Sequence, residues 1–225
     1  MPGAVVSSRV AMHLGNTTRM ARPRTIGAVI AGGRSTRIGR PKASIELRGQ
    51  PLIEYPLASL EQAGIESVVV AKRGTPLPEL TVPVWREPDQ PAHPLCGIVA
   101  ALEHANGRAV VVCGCDMPFL EPALLSALAK RDESLAVPLA GGRLHPLVAR
   151  YTPALLDSLR AALDSRRPLQ EIVAELEPAV IEDEELRRYG DPKRLLFNVN
   201  TIADLEEAER LIDADEGGPV SRRGA

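Results

Sequence analysis

At 225 residues the chain is long enough for one sizeable hydrophobic core, or one domain with a small appendage. Its 27 basic residues against 29 acidic ones exclude a general nucleic-acid or anionic-membrane partner, and 3% aromatic content leaves little for base-stacking platforms. No stretch approaches about eighteen uninterrupted apolar residues, so no membrane span is expected. Cys96, Cys113 and Cys115 have no framework spacing, which fits a reducing, cytoplasmic setting.

Residues 1–23 hold only an apolar run broken at Arg9, poor material for a signal peptide, and are expected to be a disordered extension. One domain is expected over 24–212, followed by a polar tail at 213–225. The apolar run at 26–31 predicts a strand in the interior of a sheet. It ends at Gly32-Gly33, where missing Cβ atoms let backbone N–H groups approach a ligand. Arg34, Arg37, Arg40 and Lys42 then follow, with Gly39 and Pro41 shaping the turn. A strand opening into a glycine turn with several cations suits a polyphosphate: N–H groups bind its oxygens and the cations offset its charge. The spacing is neither GxxxxGK[ST] nor GxGxxG.

Residues 52–63 have near-helical apolar spacing, with Pro51 at the entry and Gly64 beyond the end. Strands are predicted at 67–71 and 81–85, a helix at 95–104, a strand at 109–114 and a helix at 121–130. The second half is looser: a strand at 135–138, a Gly141-Gly142 turn into 144–151, helices at 153–163 and 168–176, and a small edge strand at 180–182. The closing helix, 202–212, is capped by Thr201 or Asn200. This rhythm predicts an α/β protein, a three-layer, doubly wound, Rossmann-like fold with a mostly parallel central sheet.

Ligands of such sheets sit outside the carboxyl ends of the strands. Gly32-Gly33, Ala71-Lys72, Glu87 and Asp116 all collect there. Asp116 stands directly beyond a buried strand, where an acid can hold Mg²⁺. Met117-Pro118 put it several residues too early to cap the helix at 121. Cys113 and Cys115 read as small buried hydrophobes at a strand end. HExxH, GxSxG and a nucleophile with an evident histidine partner are all missing, which suits phosphoryl or nucleotidyl transfer, reactions of positioning and charge stabilisation.

The glycine turn resembles the G-G-x-S-x-R-[MI]-G-x-x-K signature of the MobA-like nucleotidyltransferases, with Gly32, Gly33, Ser35, Arg37, Gly39 and Lys42 in register. Cys115-Asp116-Met117-Pro118-Phe119-Leu120 resembles the family's C-D-[MT]-P-[FY]-[LI] segment, whose aspartate is its Mg²⁺ ligand. Asn198-Val199-Asn200-Thr201 resembles the F-x-N-[VI]-N-T ending of molybdenum cofactor guanylyltransferases, followed as in them by a D-L-x-x-A-E helix. His145-Pro146-Leu147 is similar to a family [HQ]-P-[LT] segment near the acceptor side. The family also has an aspartate after its third strand, shortly before G-P-L-A-G. Here Glu87 matches it by position and Asp89 by residue type, while His93 and Cys96 replace the glycine and the alanine.

The resemblance spans roughly residues 25–212 and implies the nucleotide-diphospho-sugar transferase fold. It implies transfer of GMP from GTP to the phosphate of Mo-molybdopterin, giving the guanine dinucleotide cofactor and pyrophosphate. In that reading Arg37 and Lys42 neutralise the triphosphate with the Gly32-Gly33 amides, and Mg²⁺ sits on Asp116. Glu87 serves the nucleotide side or orders metal waters, and Ile30 and Ala31 offer backbone groups to the base. Asn198, Asn200 and His145 face the acceptor; asparagine amides suit a pterin edge or a phosphate. Molybdoenzymes or cofactor-delivery proteins are the implied partners. Three alternatives remain open: a sister enzyme using CTP with molybdopterin, one using an NTP with a sugar phosphate, and a non-catalytic nucleotide-binding protein.

Overall fold

Short runs of Val, Ile and Ala make the central strands, and the helices between them carry the leucines that cover both faces. A computed structural model describes residues 25–32, 42–165 and 167–216. The chain runs through β1 (Ile26–Ile30), a hairpin of β2 (Glu46–Leu47) and β3 (Gln50–Pro51), α1 (Glu54–Gln62), β4 (Ser67–Ala71), β5 (Val84–Arg86), α2 (Pro94–His104), β6 (Val110–Gly114) and α3 (Pro122–Lys130). The second half adds β7 (Leu135–Ala140), β8 (Arg143–Leu144), β9 (Val148–Tyr151), α4 (Leu156–Ala162), α5 (Leu169–Glu175) and β10 (Ala179–Glu182). It ends with α6 (Asp183–Leu186), α7 (Pro192–Leu195) and α8 (Ile202–Glu216).

The main sheet has the order β10-β7-β9-β6-β1-β4-β5, with β8 paired to β7. From β6 to β5 all neighbours are parallel, as are β10 and β7. β9 is reversed, antiparallel to both β6 and β7. Ala140 and Val148 are too close in sequence for a parallel crossover, which needs roughly a dozen residues or more.

Alternation along β1 sends Ala28 and Ile30 into one core, with Leu95 and Ile98 of α2, Leu159 of α4 and Ile172 of α5. Val29 and Ala31 face a second core, with Leu60 of α1 and Leu124, Leu125 and Leu128 of α3. The sheet is therefore covered on both sides, giving the three layers expected. At Gly27 a Cβ would meet Leu60 Cδ2 at 2.6 Å, so α1 lies directly on the strand. Cys113 and Cys115 are packed into this second core as small apolar groups, and burial pushes the Cys113 thiol up to about 12.

A third core joins the β2–β3 hairpin to the chain's closing segment through Ile45, Leu47, Leu52, Phe119, Val199 and Ala208. It holds α8 beside the carboxyl ends of the strands.

Several boundaries differ from the sequence reading. The helix expected from residue 52 begins at Glu54, because Leu52 and Ile53 are fully buried in the hairpin exit. The helix expected over 153–163 is broken into a 3₁₀ turn at Pro153–Leu155, α4 and a second 3₁₀ turn at Leu163–Ser165. The closing helix runs to Glu216 rather than 212, its last turns tied down by Arg48–Asp213 and Arg194–Asp215 ion pairs. The extension at 1–23 and the tail beyond Glu216 lie outside the described residues. Among the described residues no helix is long and apolar enough to cross a membrane.

Candidate active site

The four strand ends converge. Gly32 beyond β1, Lys72 beyond β4, Glu87 beyond β5 and Asp116 beyond β6 all line one cleft of about 910 Å³. Its far wall is made of Arg143 to Val148 and the start of α5, and Asn198, Asn200, Thr201 and Asp204 close one side.

Asp116 is delivered by β6, whose last residues are pinned: Cys115 N donates to Ile30 O at 3.2 Å and Gly114 N to Leu147 O at 2.9 Å. Val199 N donates to Asp116 O at 2.9 Å, which draws the closing segment onto this loop. The neighbouring Leu120 carbonyl accepts from the Ser59 hydroxyl of α1 at 2.6 Å.

Lys42 opens a short 3₁₀ turn, Lys42–Ser44. Its ammonium donates to Asp116 Oδ2 at 2.7 Å and to Asn200 Oδ1 at 2.5 Å. The side chains of Lys42 and Asp116 are only 18% and 15% exposed, so this charge pair is weakly screened. Asn200 is aimed from behind. Its N–H and that of Thr201 donate to Asp204 Oδ2 at 2.9 and 2.8 Å, while Asp204 N donates back to Thr201 Oγ1 at 3.1 Å. Thr201 and Asp204 thus form a reciprocal cap at the start of α8. Burial raises the Asp204 pKa, but the Asn200 and Thr201 donors and the Lys42 charge outweigh it and hold the carboxyl below its usual range.

Of the two acids beyond β5, Glu87 lines the cleft and Asp89 does not. Glu87 is 6% exposed and its carboxyl stands against Gly32, where a Cβ would fall on Oε1. Asp89 is exposed and contributes its carbonyl, which accepts from Lys72 Nζ at 2.7 Å. Desolvation pushes the Glu87 carboxyl up to about 7, with the Lys72 charge opposing and Asp89 adding to the rise. Gly97 of α2 closes the same corner: a Cβ there would lie 2.8 Å from Ile30 Cγ2 and 3.2 Å from Glu87 Oε2.

Ile30 lines the cleft, but the backbone groups expected to meet a base are partly committed: Ala31 N donates to Val70 O at 2.9 Å, and Ile30 O accepts from Cys115 N. Asn198 is exposed at the rim, its carbonyl accepting from Asn200 Nδ2 at 3.4 Å. His145 lies in the far wall; burial and the Arg143 charge push its imidazole below the usual range, Asp183 opposing. Gly33 and Arg37 lie outside the described residues.

Sequence reasoning passed over Asp204, Gln170 and Arg143. Asp204 was findable, because Thr201-x-x-Asp204 has capping-box spacing ahead of an apolar helix. Gln170 and Arg143 reach the cleft only through the packing of α5 and β8, which no local pattern announces.

Among the described residues no group of three or more His, Cys, Asp or Glu side chains is placed to hold a metal. A single carboxylate at one point of the cleft fits Mg²⁺, which takes one or two protein carboxylates and completes its shell with water and substrate phosphates. Asp116, an oxygen donor facing the cleft beside a cation, suits that role.

The MobA-like NTP transferase domain matches residues 27–180. The chain is 33% identical over 202 residues to a probable molybdenum cofactor guanylyltransferase of Pelotomaculum thermopropionicum, an alignment covering 86% of this chain and 96% of the relative. A protein of the same description from Mycobacterium tuberculosis H37Rv is 35% identical over 189 residues, covering 80% and 90%. A crystal structure of molybdopterin-guanine dinucleotide biosynthesis protein A from Archaeoglobus fulgidus superposes with a TM-score of 0.69 at 27% identity, over 84% of this chain and 99% of that one. The fold is also that of 2-C-methyl-D-erythritol 4-phosphate cytidylyltransferase from Thermus thermophilus, at a TM-score of 0.61 and 21% identity, covering 84% and 99%. The chain belongs to the MobA-like NTP transferase domain family.

Proposed function

We propose that this protein is a molybdenum cofactor guanylyltransferase, transferring GMP from GTP to the phosphate of Mo-molybdopterin with release of pyrophosphate. The observation that carries the reading is the Lys42 ammonium held between Asp116 and Asn200, at 2.7 and 2.5 Å. Three sequence-distant segments thereby place a cation, a carboxylate and an amide at one point of the cleft.

No protein nucleophile is required, because the acceptor's own terminal phosphate oxygen attacks the α-phosphorus of GTP in line. The chain's part is to bind, orient and balance charge. Lys42 donates to the nucleotide's phosphate oxygens, assisted by the amides of the glycine turn. Asn200 and Asn198 hold the acceptor from the α8 side, and His145, kept neutral, lines its path. Glu87 closes the nucleotide end. Mg²⁺ held by Asp116 would supply Lewis-acid stabilisation of charge on the leaving pyrophosphate. Buried, unpaired cysteines suit the reducing cytoplasm as the setting, with molybdoenzymes or their delivery proteins taking the product.

The test is pyrophosphate release from GTP, CTP, ATP and UTP in the presence of Mo-molybdopterin and Mg²⁺. Selective use of GTP, lost in Asp116→Ala, is the expected result. Preference for CTP moves the activity to a sister transferase, and turnover undiminished in Asp116→Ala would sink the assignment.

A further inference from the structure

One imidazole makes a hydrogen bond across the cleft, from the start of α2 to the segment that leads into α5. His93 caps α2 in extended conformation (φ −136°, ψ 140°), its Nδ1 accepting from Leu95 N at 3.1 Å. A ring nitrogen that accepts carries no proton, so Nε2 is the N–H, and it donates to Arg167 O at 3.0 Å. Both ring nitrogens of His93 are thereby engaged.

The bond to Arg167 reaches the opposite wall. Arg167 leads into α5, its guanidinium locked to Glu175 of that helix at 2.8 and 2.5 Å. One turn on, Gln170 Nε2 donates to Leu144 O at 3.0 Å, next to His145. On the near side, α2 packs Gly97 against Ile30 and Glu87. A continuous line of hydrogen bonds and close packing therefore runs from the Glu87 corner through α2, His93, α5 and Gln170 to the 143–147 loop.

We propose that His93 is a positioning residue that couples nucleotide binding at the Glu87 corner to the acceptor wall formed by the 143–147 loop and α5. The assignment of the two ends rests on the function proposed above.

His93→Asn separates the link from the cap. Asparagine is a good N-cap and keeps an acceptor for Leu95 N, but its shorter side chain stops short of Arg167 O. Amide hydrogen exchange of the full chain, wild type and His93→Asn, is measured with and without GTP and Mg²⁺, beside calorimetric GTP affinity. In the ligand-free variant, residues 143–147 and 167–176 should exchange about fivefold faster or more, with global melting little changed. GTP should slow these segments in the wild type and not in the variant, while GTP affinity stays within about threefold. With acceptor supplied, the variant's acceptor KM should rise about five- to tenfold, the GTP KM being nearly unchanged. Equal exchange in the two ligand-free proteins would reduce His93 to a cap and overturn the proposal, as would GTP protection of the far wall that survives in His93→Asn. Absence of GTP binding by the wild type overturns the proposed function and the coupling together, a result distinct from either.

Discussion

Lys42 Nζ lies 2.7 Å from Asp116 Oδ2, although the two residues are 74 apart in the chain. A lysine and an aspartate held this close, both largely shielded from water, balance each other's charge in the ligand-free cleft. The pair accounts for two expectations at once. Asp116→Ala should lower turnover by at least about 10²-fold, the scale of losing one transition-state contact. Circular dichroism and melting should show the fold intact, because Asn200 still accepts from the ammonium.

Lys42→Ala should weaken GTP binding by about 1.5–3 kcal/mol, the worth of a charged hydrogen bond, read by calorimetry. Lys42→Arg should not restore it, since a planar fork cannot sit between Asp116 and Asn200 as a compact ammonium does.

Glu87 makes stability depend on pH in a sense opposite to most carboxylates. Its pKa is raised from an ordinary 4.5 to about 7, so the native state binds the proton more tightly than the unfolded chain. Its contribution is fully present below pH 4.5 and is lost as pH rises through about 7. Glu87→Gln should therefore melt like the wild type at low pH and gain on the order of 3 kcal/mol over it by pH 8. Denaturant titration at three pH values checks this; a constant difference would refute it.

At Gly32 the constraint is steric. A Cβ would fall on Glu87 Oε1, so Gly32→Ala should displace the carboxyl and lower both melting temperature and GTP affinity. Adding Glu87→Ala should recover part of the stability, with a coupling of about 0.5–3 kcal/mol between the two substitutions.

Asp204→Ala should cost about 1 kcal/mol through the lost cap and, by releasing the Asn200 amide, also raise the acceptor KM. Its depressed pKa means that the wild-type carboxylate stabilises the fold above its usual 3.8 and loses that effect as pH falls below it. The wild type and Asp204→Ala should accordingly converge in stability in acid.

The parallel half of the sheet was legible because its strands are continuous apolar runs spaced by amphipathic helices; Ser67–Ala71 is an example whose limits coincide with the prediction. The reversed β9 was not, since four consecutive buried residues, Val148–Tyr151, do not state direction. α6 and α7, at four residues each, are too short to show a helical period. In the site, Lys42, Asp116 and Asn200 were readable as candidates because each stands in a short motif, and the structure brings the three side chains together. The choice between Glu87 and Asp89 was not, because one residue's burial depends on how the loop after β5 turns toward Gly32. The bridging role of His93 depends on α5, which no local signal ties to α2.

Asn200 reaches back across 158 residues to Lys42, and α8 behind it rests on the β2–β3 hairpin. During synthesis the whole parallel sheet from β1 to β6 is available well before that last segment leaves the ribosome. A nascent chain can therefore hold a shaped but incomplete pocket, whose side formed by Asn198, Asn200, Thr201 and Asp204 arrives only with the final segment. Chains broken directly after β10 would lose the Asn200 contact to Lys42 together with the leucines of α6 and α7 that complete the second core.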